Sequence, residues 1–172
     1  MNRVGRIAAV AWLLCMVSVG AVAQGKIAVL NLEEAIFTTE EAKSQINALR
    51  QTPEYLENKK EAEALRKKYD DLAEQFNKNR EVMSAEQEAE QARKIKEVQA
   101  DLEFVVKKLQ QSERDLAQRI MREMLPRANT VVTELIKTEG IGLLLNAQAA
   151  LHADAGYSIN AKVTEKLNQM KN

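Results

Sequence analysis

Cysteine is all but absent from this chain: Cys15 is the only one in 172 residues. A disulfide framework is therefore excluded, and so is a thiolate metal cluster. Histidine is equally scarce. His152 stands alone, and a zinc site or a histidine-based triad would need partners that are not there, so it reads as a structural or surface residue. Two prolines and six glycines exclude collagen-like, proline-rich and Gly/Ser-linker chains. Aromatic residues make up only 4 %, too few for a thick globular core. Neither sign of charge is in excess: 25 bases balance 25 acids, which argues against a nucleic-acid binder and its basic stripe. There is no G-x-x-x-x-G-K-[ST] and no G-x-G-x-x-G, so no phosphate cradle is visible. No catalytic, cofactor-binding or metal-ligating residue is assigned, no cofactor is expected, and the chain is not expected to be an enzyme.

What is present is helix-forming: 29 % charged residues together with many Ala, Glu, Gln, Lys and Leu. The first 23 residues stand apart. Arg3 and Arg6 precede an apolar run from Ile7 to Gly20, and Ala21-Val22-Ala23 follows it. That order is a charged n-region, an h-region and an A-x-A cleavage site. At 14 residues the run is short of the ~20 a membrane span needs. The expectation is a cleaved signal peptide at residues 1–23, the alternative being an uncleaved anchor helix. Leu13-Leu14 before Cys15 do not suit a lipidation site. Cleavage removes Arg3, Arg6 and the cysteine, leaving 23 bases and 25 acids, a net charge of −2. The compartment expected is periplasmic or extracellular.

Lys26 to Leu32 (KIAVLNL) is short and apolar and reads as a buried strand. Helical signals start at Glu33. Thr52-Pro53-Glu54 is an N-cap followed by Pro at the first helical position, so the helix restarts or kinks there. Apolar residues then recur at Ala62, Leu65, Tyr69, Leu72, Phe76 and Met83, with Asn79 in the vacant slot. The 3,4 spacing is a heptad seam. A second seam runs Ile95, Val98, Leu102, Val105, Leu109, Ser112 and Leu116, then lengthens to steps of about four through Ile120, Met124, Ala128, Val131 and Leu135. Pro126 lies inside it and should bend the helix. Between the seams, Ser84 and Gln87 form a capping box, so the chain reverses near residues 82–84. Residues 33–82 and 85–137 give two arms of near-equal length, each roughly 75–80 Å. Matched arms are what an antiparallel hairpin requires.

Gly140 reads as the C-cap of the second arm. Residues 141–146 read as a second strand and 149–153 as a third. Asn160 is expected to cap a last helix, Ala161 to Gln169, with Val163 and Leu167 inside. The fold class expected is α+β, mostly α: a long antiparallel helical hairpin (a coiled-coil tentacle) on a small β-body formed by oligomerisation. The body takes residues 24–34 and 138–172 and the arm residues 35–137. A core that small needs a staple, and without cysteine or metal the remaining one is self-association.

KIAVLNLEEAIF at 26–37, the charged hairpin, and GIGLLLNAQAALHADAGYSINAKVTEKLN at 140–168 stand in an order that resembles the Skp/OmpH-like periplasmic chaperones. The resemblance covers essentially the whole mature chain. It implies a homotrimer whose hairpins surround a cavity. It implies an ATP-independent periplasmic holdase that cages unfolded outer-membrane β-barrel proteins, prevents their aggregation, and hands them over to the outer-membrane assembly machinery. Two departures matter. Basic members carry Lys and Arg at the hairpin tip, whereas here Lys78 and Arg80 are mixed with Glu81, Glu86, Glu88 and Glu90. No lipopolysaccharide binding is expected. Asn146 and Asn160 stand where acidic or hydroxyl residues are common, and keep turn and cap chemistry.

Four residues are candidates for client contact. Phe104, Val105 and Val106 are consecutive, and one heptad face cannot bury all three. Either the core stripe is wide there or Phe104 or Val106 faces the client. Val82 and Met83 at the tip divide between apolar caps and promiscuous contact. The alternative function is a structural coiled-coil adaptor or spacer of the cell envelope that binds one folded partner.

Overall fold

The computed structural model describes residues 25–170. The expected signal peptide, with Cys15, lies outside the described residues. In chain order the elements are β1 (Lys26–Leu30), α1 (Leu32–Phe37), α2 (Glu40–Arg50), α3 (Pro53–Asn79), α4 (Ala85–Glu139), β2 (Ile141–Asn146) and α5 (Asn160–Gln169). Single 3-10 turns lie at 80–82, 147–149 and 155–157. The mostly helical α+β class expected from the sequence is what is observed, with one long hairpin and a two-stranded sheet.

Hydroxyl and amide caps decide where the first arm breaks. Asn31 ends the strand two residues earlier than expected, because its side chain accepts the Glu34 N–H at 3.1 Å and starts α1 at Leu32. Thr38 and Thr39 then break the arm at a place the sequence reading passed over. The Thr38 hydroxyl donates to the Glu34 carbonyl at 2.9 Å, and the Thr39 hydroxyl accepts the Ala42 N–H at 3.2 Å, capping α2. A side-chain acceptor at an N-cap satisfies a donor the helix cannot. Thr52 repeats the device, accepting the Tyr55 N–H at 3.3 Å with Pro53 in the first turn of α3. The first arm is thus three helices, with the break at Thr52-Pro53 expected and the one at Thr38-Thr39 not.

The second arm is one helix. Ser84 and Gln87 make both halves of the capping box: Gln87 N–H to Ser84 Oγ at 3.3 Å and Ser84 N–H to Gln87 Oε1 at 2.9 Å. From there α4 runs for 55 residues, about 80 Å. It is continuous through Pro126 and stops at Gly140, whose φ of 66° is the left-handed conformation glycine adopts without strain. α3 lies along α4, as the paired seams require.

β1 and β2 are parallel, and the hairpin is the crossover that joins them. The register pairs Lys26 with Ile141 and Leu30 with Asn146, with one irregularity after Lys26. The third strand expected at 149–153 does not form. Asn146 accepts the Gln148 N–H at 2.9 Å and turns the chain into the 147–149 helix instead. The far side of β1 is met later, by a parallel bridge between Val29 and Ser158 and by the Ile159 N–H donated to the Val29 carbonyl at 3.0 Å.

α5 closes the body, but not by the cap expected. The Asn160 side chain does not cap its own helix. It reaches across to the root of α1, accepting the Asn31 N–H at 2.9 Å and donating to Glu34 at 3.0 Å. Asn168 likewise accepts the Glu40 N–H, the first of α2, at 2.9 Å. Val163 and Leu167 are buried, as expected, against a core built from Ala35, Ile36, Ile120, Met124, Ala128, Val131 and Leu135. Two ion pairs flank the contact, Lys162–Glu139 and Lys166–Glu134, both at 2.6 Å. Among the described residues, no helix is long and apolar enough to cross a membrane.

Candidate functional site

Burial along the hairpin changes with distance from the sheet. Near the root, Leu116, Ile120, Met124, Ala128, Val131 and Leu135 are all buried. Toward the tip, α3 has no buried residue at all, and its seam positions Ala62, Leu65, Tyr69, Leu72 and Phe76 are each half-buried. In the facing stretch of α4 only Val98 and Val105 are buried, while Ile95, Leu102 and Leu109 stay half-buried. Two helices alone cannot surround a seam. The outer half of the hairpin is therefore a ribbon that offers apolar side chains along its flanks.

On one flank the side chains open into a groove of about 530 Å³, floored by Ala62, Leu102, Val106 and Leu109 and edged by Lys59, Glu63, Arg66, Lys67 and Asp70. The Arg66 guanidinium pairs with Asp70 at 3.2 Å. Val106, a candidate contact residue, is half-buried in this groove. Phe104 is not with it. At roughly 100° of turn per residue, Phe104 and Val106 leave the buried Val105 in opposite directions. The phenyl ring is 60 % exposed, with the Lys108 ammonium 4.7 Å from its centroid. The pattern of three consecutive apolar residues thus resolves into one core residue and two separate surfaces.

At the tip, Val82 is 84 % exposed and Met83 half-buried. Arg80 stacks over Phe76 at 5.8 Å and pairs with Glu88 at 3.0 Å across the turn. Two ion pairs follow on α4, Arg93–Glu97 and Lys94–Glu90. The Lys94 ammonium, 2.7 Å from Glu90, donates to its carboxylate and holds its pKa below the ordinary glutamate value. Nearer the root, Tyr55 donates its hydroxyl to Glu113 at 2.7 Å, tying the start of α3 to α4. Donation to that carboxylate raises the tyrosine pKa above its ordinary value. His152 lies 3.3 Å from Asp154, both fully in solvent, and no cluster suited to a metal ion occurs among the described residues.

One apolar surface escaped the sequence reading. Ile27, Leu143, Leu145 and Tyr157 are large and exposed on the sheet and its following turn. The signal for it was the alternation along β2, where Leu144 is half-buried against the core and Leu143 and Leu145, on the other face, are exposed. A continuous run of leucines hid that alternation.

Residues 26–167 match the family model described as outer membrane protein (OmpH-like). Nothing among the curated proteins matches the chain. Among solved structures, a Caulobacter crescentus CB15 protein named as a candidate outer membrane chaperone (OmpH-like) aligns over 87 % of this chain and 87 % of its own, at 14 % identity and a TM-score of 0.49.

Proposed function

The chain belongs to the OmpH-like outer membrane protein family, and from that premise we propose that it is an ATP-independent holdase of the periplasm, caging unfolded outer-membrane β-barrel proteins. One observation carries the reading: a hairpin whose distal seam is left half-buried on both arms, so that weak apolar contacts line its distal part. An unfolded β-barrel protein exposes alternating apolar residues and unpaired strand edges, and it aggregates. Many weak contacts hold such a chain by multivalency. Because each is small, the client leaves without nucleotide.

The same reading assigns residues 24–34 and 138–172 to the body and 35–137 to the arm, behind a cleaved signal at 1–23. The body assembles three copies. Ile27, Leu143, Leu145 and Tyr157 are the apolar surface such an assembly would cover, and the outer edge of β2 is the backbone it would pair. Val82, Met83, Phe104 and Val106 are the proposed client contacts. Handover to the outer-membrane assembly machinery completes the role.

The test is light scattering of a urea-unfolded outer-membrane barrel protein diluted with and without the mature chain. Suppressed aggregation is expected, whatever barrel is used. Equal aggregation in both sinks the holdase, and suppression for a single folded partner's relatives alone would favour an envelope adaptor.

A further inference from the structure

Asn160, Thr164 and Asn168 stand at intervals of four along α5 and so share one face of it. Each is committed to the root of the first arm. Asn160 accepts the Asn31 N–H at 2.9 Å, at the start of α1. The Thr164 hydroxyl donates to the Ala35 carbonyl at 2.8 Å and lies 2.9 Å from the Thr38 hydroxyl, at the end of α1. Asn168 accepts the Glu40 N–H at 2.9 Å, in the first turn of α2. One face of α5 thus spans the break at Thr38-Thr39 and holds both sides of it. Lys162 and Lys166 tie the same helix to Glu139 and Glu134 of α4.

The joint depends on that support. Residues 32–50 contain neither Gly nor Pro, so the Thr39 cap fixes where the break falls but little local fixes its angle. α1 has six residues, too few to persist as a helix without packing. It lies between α4 and α5: its buried Ala35 and Ile36 share a cluster with Ile120 and Met124 on one side and Val163 and Leu167 on the other. α2 has its own tie to α4, the Arg127–Glu41 pair at 2.8 Å. The tether of α5 is slack by comparison. Residues 150–154 lead to it without helix or strand, and Leu151 to Asp154 are exposed.

We propose that α5 is a releasable latch on the root of the first arm. Docked, its polar face pins α1 to α2 at one angle. Undocked, it leaves α1 supported on one side only, and the α1–α2 joint loosens while α2 stays on α4. Short, capped elements held by a few hydrogen bonds are where a fold opens locally at least cost. The latch is independent of what the hairpin holds; in a cage of hairpins it sets how far the first arm yields to the contents.

The mature chain suits spin labelling, since the single cysteine of the sequence, Cys15, lies inside the expected signal. Glu33→Cys in α1 and Glu61→Cys in α3 place one label on each side of the joint, both at exposed positions. Labelled chain is assembled with an excess of unlabelled chain, and pulsed electron resonance reads the distance distribution. Thr164→Val combined with Asn168→Ala removes the bonds to Ala35, Thr38 and Glu40 and keeps Val163 and Leu167 in the core. The native protein should give one narrow distribution, and the double variant a wider one or a second population. Exchange of the Glu40 amide should speed roughly tenfold, the size of one lost hydrogen bond. Thr133→Val is the control, because that hydroxyl donates to the Asn129 carbonyl within α4 at 2.8 Å and should leave the distribution native. An unchanged distribution in the double variant, or native exchange at Glu40, overturns the latch. A widening that Thr133→Val reproduces overturns it too. Should the double variant lose its helix content, Asn168→Ala alone decides by the same two readouts.

Discussion

Gly25 and Gly142 face each other across β1 and β2 so closely that neither can carry a side chain. A Cβ on Gly142 would stand 2.8 Å from the Gly25 Cα, and a Cβ on Gly25 would stand 2.5 Å from the Gly142 Cα. The obstacle is backbone in both cases, and it cannot swing away. This approach sits at the register irregularity after Lys26, beside the Lys26 N–H bonded to the Gly140 carbonyl at 2.9 Å.

Gly142→Ala should therefore open the start of the parallel pair and cost about 1–3 kcal/mol, as overpacking does. Gly156→Ala is the control, since nothing lies within 4 Å of its added methyl group. Thermal melts decide the matter: a Gly142→Ala midpoint equal to that of Gly156→Ala would contradict the close approach.

Asn160→Ala should cost about 1–3 kcal/mol, the penalty for stranding a partly buried donor. The donor is the Asn31 N–H, which has the Asn160 amide oxygen as its acceptor. Urea titration should show a lowered midpoint. Amide exchange should speed at Asn31, whose N–H the side chain accepts, and stay native at the hairpin tip.

Leu116→Ala and Leu72→Ala remove the same atoms from the same kind of seam at different levels. Leu116 is buried, and its loss should cost about 2–5 kcal/mol. Leu72 is half-buried on α3, and its loss should cost clearly less. Equal losses in chemical denaturation would mean that the distal seam is covered by something outside the protomer.

Ser84→Ala takes away one half of the capping box and should cost about 1 kcal/mol. Exchange protection should fall in the first turn of α4, at Gln87 above all, with the body unaffected. A change spread evenly over the whole chain would argue against a local cap.

Glu139 gives the pH dependence. The Lys162 ammonium, 2.6 Å away, donates to its carboxylate and holds its pKa below the ordinary glutamate value. A lowered folded pKa stabilises the fold above the ordinary glutamate range, and that contribution fades as pH falls through the lowered value. Glu139→Gln should melt below the native protein at neutral pH, and the gap should close in acid. A gap that persists unchanged in acid would rule out the ion pair as its cause.

Caps and seams were legible in the residues because their signals are local. Thr52-Pro53, Ser84 with Gln87, and Gly140 each act within one turn, and each stands where expected. The heptad spacing likewise forecast which side chains meet. Long-range claims on the same residue types were not legible. Asn160 looks like a cap for its own helix, yet its amide is taken by Asn31 and Glu34, more than a hundred positions earlier. Thr38-Thr39 carries the same cap chemistry as Thr52 but lacks a following proline, so it passed as helix interior. Residues 149–153 are apolar enough for a strand, but Asn146 spends its side chain on the turn that precludes one. For the candidate site, the sequence could name Phe104 and Val106 but not separate them. Which of two flanking positions faces the groove depends on where α3 lies, and that is a tertiary fact.

The two arms differ as mechanical elements. The first reaches the sheet through three capped segments, with joints at Thr38-Thr39 and at Gln51-Thr52. The second is one hydrogen-bonded rod from Ser84 to Gly140, short of a single donor at Pro126, and it enters β2 with only Gly140 between. A load taken up at the tip therefore travels to the strand along a stiff lever on one side and is absorbed at two articulations on the other.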